Sequence, residues 1–285
     1  MKKGATILCV IVPELPEVET IKRELKTRII NKKILACILL RSDVIAYPKP
    51  KTFCRAIINE RVTNVTRKAK YLFLELTNEK KIVFHFRLSG TISLRKLHVK
   101  PERFTRVIIK INGYQLFFNE PRVLGRIYLL KGKKRLPFLK GLYNLGFEPI
   151  ADAFDLLYFR DKIKGRKAKI KALLLDQSIC AGVGNIYSDE ALFHAGIRPL
   201  RRANRITIRE TAKLVRTLKH VIQKGIDNYG TSVSDYHRTD GKDGNFQKFL
   251  YVYGKEDEPC KVCGTKIVLR KLGNRSTRYC PKCQK

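Results

Sequence analysis

The stretch PELPEVETI, Pro13–Ile21, opens on a proline and two nearby carboxylates, Glu14 and Glu17, and runs into a segment with helical spacing. Val18, Ile21, Leu25 and Ile29 recur three and four residues apart, which predicts a helix from Pro16 to about Asn31. The chemistry available there depends on the proline nitrogen. A free secondary amine can attack a sugar carbon and form an iminium, and an adjacent carboxylic acid can protonate the ring oxygen or shuttle protons during elimination. Within a longer chain the same nitrogen belongs to a tertiary amide with Val12, and its lone pair is delocalised into the carbonyl. The active protein is therefore expected to start at Pro13, with residues 1–12 an extension absent from the mature form. Val12 fits this reading, because a GTG codon can initiate translation as methionine. On pattern alone, Pro-Glu before a helix is also an ordinary helix start, and Glu17 an ordinary first-turn carboxylate serving the helix dipole.

The other end carries Cys260, Cys263, Cys280 and Cys283 in a C-x2-C-x16-C-x2-C frame. Four thiolates at this spacing can close tetrahedrally on one structural Zn2+, with Ile267-Val268-Leu269 and Arg278-Tyr279 as the intervening β-hairpin. So small a segment cannot hold itself together without metal. Its Arg270, Lys271, Arg275 and Arg278 point to a nucleic-acid surface.

The 285 residues include 60 Lys and Arg against 25 Asp and Glu, a formal charge of +35 spread along the whole chain. A polyanionic partner follows, and nucleic acid is favoured over a membrane because no segment approaches the ~18 apolar residues of a spanning helix. RNA-binding proteins share this composition, so charge alone does not imply an enzyme. Of the eight cysteines, Cys9, Cys37, Cys54 and Cys180 lack paired spacing, which suits a reducing compartment. The start MKKGATILCVIV has lysines before an apolar run, but Ile7–Val12 is short for a signal peptide and acidic residues follow it. A cytoplasmic protein is expected.

Between the two ends, β-prone runs occupy Lys33 to Leu130, with turn signals such as Asn112-Gly113, and predict an antiparallel sandwich or barrel. Lys131–Pro149, rich in Gly, Pro and Lys, reads as a linker. Helices are expected at Lys169–Ser178, Ile186–Ala195 and Ile208–Lys224, the first two flanking the AGVG turn at Ala181–Gly184. Gly230–Phe246 is long, polar and glycine-marked, so it is either a functional loop or disorder.

PELPEVETI, RKAKYLFLEL at Arg67–Leu76, HFRLSG at His85–Gly90, EPRVLG at Glu120–Gly125, GVGNIYSDEALFHAGI at Gly182–Ile197, VYG at Val252–Gly254 and the cysteine frame stand in one order. Taken together they resemble the bacterial formamidopyrimidine-DNA glycosylases, of the formamidopyrimidine-DNA glycosylase and endonuclease VIII family, over Pro13 to Lys285. The resemblance implies an α+β multidomain fold. Residues 13–131 would form an N-terminal catalytic β-sandwich with a leading helix, and 132–151 a linker. Residues 152–250 would form a helix-two-turns-helix domain with a lesion loop, and 251–285 a zinc finger, with duplex DNA in the basic cleft between domains.

It also implies a glycosylase and abasic-site lyase acting on oxidised purines in DNA repair, working as a monomer in the bacterial cytoplasm and associating with the nucleoid through DNA. Pro13 then matches the nucleophile, Glu14 the catalytic glutamate, and Lys70 the lysine holding the phosphate beside the lesion. Arg275 and Tyr253 match further phosphate ligands, Arg275 standing with the catalytic group. Asn185, at a helix start, either caps the helix or joins the backbone in binding a phosphate. Lys167 lies in RDKIKGRKAKIK, Arg160–Lys171, whose seven basic residues and one acid form either a DNA contact or a solvated face. Leu88, Arg122 and Leu124 match the residues that fill the hole left by base extrusion, where the family uses methionine, arginine and phenylalanine. A leucine fills space without an aromatic ring's stacking face, a departure that bears on lesion and opposite-base preference. Either leucine could equally be core.

The nearest rival is the sister endonuclease VIII type, which prefers oxidised pyrimidines; RKAKY and the length of the 231–246 loop lean away from it. A noncatalytic zinc-ribbon protein that binds DNA or RNA would keep the charge, the ribbon and Asn185. It would give no reason for Pro13, Glu14 and Lys70 together.

Overall fold

The computed structural model describes residues 13–132, 135–233 and 236–285, so the 1–12 extension lies outside the described residues. Helix α1 (Leu15–Ile29) starts at Glu14, whose amide donates to Glu17 Oε2 at 2.9 Å in a capping box, and Pro16 preorganises its first turn. Leu15, Val18, Ile21, Leu25 and Ile29 are fully buried. They do not all enter one core. Val18 to Ile29 pack into the sandwich, whereas Leu15 belongs to the helical core, so α1 begins at the junction of the two. Each such aliphatic side chain stabilises its core by about 2 kcal/mol, which pins Glu14 between them.

The sandwich is built from β1 (Ile34–Leu39), β2 (Ile45–Tyr47), helix α2 (Pro50–Ile57), β3 (Val62–Lys68), β4 (Tyr71–Leu76), β5 (Lys80–His85), β6 (Thr91–Arg95), β7 (Thr105–Ile111), β8 (Tyr114–Asn119) and β9 (Arg126–Lys131). One sheet runs β1-β7-β8-β6 and the other β2-β9-β5-β4-β3. Pairing is antiparallel except for the short β2, which lies parallel to β9. The Asn112-Gly113 turn joins β7 to β8 with Gly113 at φ +81°, the geometry that favours glycine there. In β4, Leu72, Leu74 and Leu76 face inward while Tyr71, Phe73 and Glu75 alternate outward. Strands β2 and β6 and helix α2 are short or interrupted by polar residues and carry little periodic signal. Only their packing, such as Phe53 and Ile57 of α2 in the sandwich core, makes them regular.

One expectation needs correction, and one of two alternatives falls away. Lys131–Pro149 is more than a linker, because helix α3 (Lys140–Tyr143) and its approach bury Leu136, Leu139 and Leu142 against Val83 and Tyr128 on the outer face of the second sheet. The described part of Gly230–Phe246 is not disordered, because it is fastened to α1 and β6. Arg238 and Thr239 bind the Glu24 carboxylate, the Leu94 amide donates to the Thr239 carbonyl at 2.9 Å, and Tyr236 is fully buried.

The helical part comprises α4 (Leu156–Ile163), α5 (Ile170–Leu175), α6 (Asn185–Ala195) and α7 (Ile208–Asp227). Helix α5 is shorter than expected because Asp176 turns the chain, its carboxylate accepting from the Ser178 amide and hydroxyl. Helix α7 opens on a capping box between Thr207 and Glu210. A hairpin of β10 (Val268–Leu272) and β11 (Arg275–Tyr279) closes the chain. No helix among the described residues is long and apolar enough to cross a membrane.

Candidate active site and DNA interface

A cavity of about 660 Å³ lies where the sandwich, the helices and the terminal hairpin meet. Glu14, Lys70, Asn185, Arg275, Leu88 and Leu124 all line it, brought together from six separate stretches of chain. The AGVG turn builds its floor. Gly182 takes φ +87° and accepts the Leu15 amide at 3.1 Å, with the Leu15 side chain where a Cβ on residue 182 would stand. A Cβ on Gly184 would overlap the Glu14 carboxyl, so both glycines permit the backbone to close on the start of α1.

Glu14 is 1% exposed. Its Oε1 accepts the Ile186 amide at 3.0 Å at the N-terminus of α6, and its Oε2 has no hydrogen-bond partner among the described residues. Burial pushes this carboxyl above its usual range, opposed by the Lys70 charge and the α6 amides. Such a group can hold a proton and has one oxygen free to deliver it. Lys70 is itself held below the usual lysine range, by burial first, with Glu14 acting against the shift and Arg275 adding to it.

Lys70 sits on a clamped turn. Arg67 forks onto both Glu148 oxygens at 2.8 Å and onto Glu19 at 2.9 Å, and the Ala69 amide donates to Glu148 at 2.6 Å. On the other wall, the Lys171–Asp189 pair is wholly buried at 2.7 Å. Lys171 donates to Thr277 Oγ1 at 3.0 Å and Asp189 accepts the Arg278 amide at 3.1 Å, which holds β11 and sets Arg275 at the cavity.

The site contains two groups whose weight the sequence did not reveal. Glu17 is no mere first-turn carboxylate, because it accepts from Tyr187 Oη at 2.7 Å and the Thr231 amide at 2.8 Å as well as from Glu14. Burial, reinforced by the Glu14 charge, lifts it to about 7. His85 also lines the cavity, 4.4 Å from the Tyr71 ring, with Nδ1 buried and unpartnered among the described residues. Burial and the charges of Arg87 and Lys70 lower it to about 3, so it is neutral and offers one N–H. Its only sequence signal was its place in HFRLSG.

Arg122, Lys167 and Tyr253 stand apart from the cavity. Arg122 is exposed on the loop that carries Leu124, and Lys167 is exposed on the turn between α4 and α5. Tyr253 is 2% exposed beneath the Arg278 guanidinium, 4.6 Å from its ring, and its amide binds Glu190. Asn185 is the first residue of α6, whose cap is Gly184, so the capping alternative is set aside; its Oδ1 is buried without a partner among the described residues. Leu124 is 41% exposed and Leu88 half-buried, so neither is ordinary core.

The four cysteine Sγ atoms lie within 4.8 Å of one another, with Cys260 and Cys283 at 3.9 Å and Cys263 and Cys280 at 3.5 Å. Four sulfurs around zinc at about 2.3 Å stand about 3.8 Å apart. The donor set fits one structural zinc.

Family models match residues 12–127 as the formamidopyrimidine-DNA glycosylase N-terminal domain, 145–237 as its H2TH domain, and 257–285 as the zinc finger found in FPG and IleRS. The formamidopyrimidine-DNA glycosylase of Pelotomaculum thermopropionicum is 42% identical over 274 residues, covering 96% of this chain and 99% of the relative. The chain belongs to the formamidopyrimidine-DNA glycosylase family. It is thus a DNA glycosylase acting on damaged bases in DNA repair, with one structural zinc. The Desulfitobacterium hafniense glycosylase is 39% identical over 95% of this chain and 99% of its own. Among solved structures, the Lactococcus lactis Fpg bound to DNA with an abasic site matches with a TM-score of 0.88 and 32% identity, covering 95% of this glycosylase and 99% of that chain. The Thermus thermophilus MutM (FPG) protein gives 0.86 and 34%, covering 95% and 98%.

Proposed function

We propose that the chain is a bifunctional glycosylase and abasic-site lyase that removes oxidised purines, 8-oxoguanine and formamidopyrimidines, from duplex DNA during base excision repair. The observation that carries this reading is the buried Glu14 carboxyl with one free oxygen, in a cavity shared with Lys70 and Arg275. The solved Lactococcus lactis FPG complex with a Fapy-dG containing DNA supports the lesion class. On this reading residues 13–131 are the catalytic sandwich, 152–250 the helix-two-turns-helix unit and 251–285 the finger.

The Pro13 amine attacks C1′ of the damaged nucleotide as the glycosidic bond breaks, its electron pair leaving with the base. Glu14 protonates the ring oxygen as the C1′–O4′ bond breaks, and the nitrogen, its proton passing to the departing base, forms the iminium. Elimination of the 3′ and then the 5′ phosphate cuts both sides of the sugar. Lys70, Arg275, Asn185 and the neutral His85 hold the phosphates at the kinked lesion, with Tyr253 and Lys167 further along the backbone. Leu88, Arg122 and Leu124 occupy the vacated stack, Arg122 facing the orphaned base.

Glu14→Gln keeps the shape but loses the transferable proton. Single-turnover excision from an 8-oxoguanine duplex is expected to fall by about 100-fold or more while binding stays within about threefold. Because the folded carboxyl is raised, the wild-type rate should be retained below that raised value and decline as pH rises through it. An unchanged rate in the glutamine variant would remove Glu14 from the mechanism.

Lys70→Ala and Arg275→Ala should each weaken binding to damaged and undamaged duplexes alike. Each should also reduce the slope of log affinity against log salt by about one. A loss confined to damaged DNA would show that the cation reads the lesion rather than the backbone.

A further inference from the structure

The two loops that carry Leu88 and Leu124 meet at a single buried carboxylate. Glu120 follows β8 and is 0% exposed. Its Oε1 accepts from the Ser89 hydroxyl, on the loop of Leu88, and from the Arg122 amide at 3.1 Å; its Oε2 accepts from the Gly125 amide at 2.7 Å. Its own backbone is fixed, the amide donating to Phe104 O at 2.9 Å and the carbonyl accepting Arg106 Nε at 2.8 Å. A Cβ on Gly125 would stand 2.5 Å from Glu120 Oε2, and one on Gly90 would stand 2.8 Å from Phe86 O and 3.2 Å from the same Oε2. Both loops are thus closed down on this carboxylate. Arg126 completes the second loop by donating to Val123 O at 2.7 Å and Gly125 O at 2.9 Å.

We infer that Glu120 is a positioning residue that fixes the separation of Leu88 from Leu124 and Arg122, so that both loops enter the DNA stack as one unit. The inference rests on the proposed base-extrusion role of these loops. The chemistry is specific to a carboxylate. Its two oxygens receive three donors, and these include a hydroxyl of one loop and two amides of the other, so an acceptor-only group is required. In Glu120→Gln the new NH2 must face one of those donors, and the buried contact on that side is lost.

The test uses the full zinc-loaded protein, stopped-flow fluorescence of 2-aminopurine beside 8-oxoguanine to follow insertion, and single-turnover excision opposite cytosine, opposite adenine, and opposite an abasic spacer. Glu120→Gln is expected to slow insertion and excision of the paired lesion about tenfold, as loss of one buried charge-assisted hydrogen bond implies. The cytosine-to-adenine ratio should move toward one, and the loss opposite the spacer, where no partner base is displaced, should be smaller by about fivefold. Ser89→Ala removes only the link to the first loop and should give a smaller loss in the same pattern. Wild-type insertion and discrimination in a Glu120→Gln protein of unchanged melting temperature would overturn the inference, as would an equal loss on all substrates. If that variant does not fold, Ser89→Ala decides, and wild-type insertion by it overturns the inference. A wild-type protein that inserts into 8-oxoguanine duplexes without excising the base would refute the proposed activity instead, and leave the coupling to be read from insertion alone.

Discussion

A protein that begins at Pro13 will be trapped covalently on a lesion-containing duplex by borohydride, and one that keeps residues 1–12 ahead of it will not. Pro13 directly precedes Glu14, the cap of α1 and the acid at the cavity. As an interior residue its nitrogen is an amide whose lone pair is shared with the Val12 carbonyl, and it cannot form an iminium. As a terminus it is a secondary amine beside a carboxyl able to take and return a proton. The expected difference is complete: trapped complex through the terminal amine for the protein starting at Pro13, none for the extended protein. Mass spectrometry of each intact protein establishes which terminus is present. Equal trapping by a protein whose mass retains the extension would refute the proline mechanism here and direct attention to a lysine nucleophile.

Replacing Cys260 with serine will remove zinc and most DNA affinity together. The finger's own core contains Phe193, Val252, Ile267 and two of the zinc-ligand cysteines, Cys260 and Cys280, so three of the five are held by the metal itself or borrowed from α6. Without the ion the hairpin has too little apolar surface to offset its conformational entropy. Arg275 then leaves the cavity wall, and Lys171 and Asp189 lose their contacts to β11. Zinc content should fall to near zero and duplex affinity by about 100-fold or more, since several phosphate contacts go at once. Circular dichroism should retain the sandwich and the long helices. Full affinity in a metal-free variant would dissociate the finger from DNA binding.

Much of this protein was legible in its sequence, because the strongest signals are local. The apolar spacing of Val18, Ile21, Leu25 and Ile29 specifies α1, the alternation of Tyr71–Leu76 specifies β4, and paired C-x2-C knuckles specify a tetrahedral metal site wherever the chain carries them. The roles proposed for Pro13, Lys70 and Asn185 rest on the order of motifs, since each has an ordinary local alternative. Short elements such as β2 and β6 were not legible, because three to five residues carry too little periodicity and take their form from neighbouring strands. The 136–143 segment is likewise too short to show a period, and the polar, glycine-marked sequence of the 231–246 loop masks the side chains that dock it.

What only the tertiary structure decided is electrostatic and depends on distance. Sequence cannot show that Glu14 meets the α6 amides across 172 positions, that Glu17 is lifted to about 7 by burial beside it, or that Glu120 joins two loops 31 positions apart. A carboxylate's protonation and hydrogen-bonding duties are set by the dielectric and the donors around it. Those are properties of packing, and packing is where residues far apart in the chain first acquire a common environment.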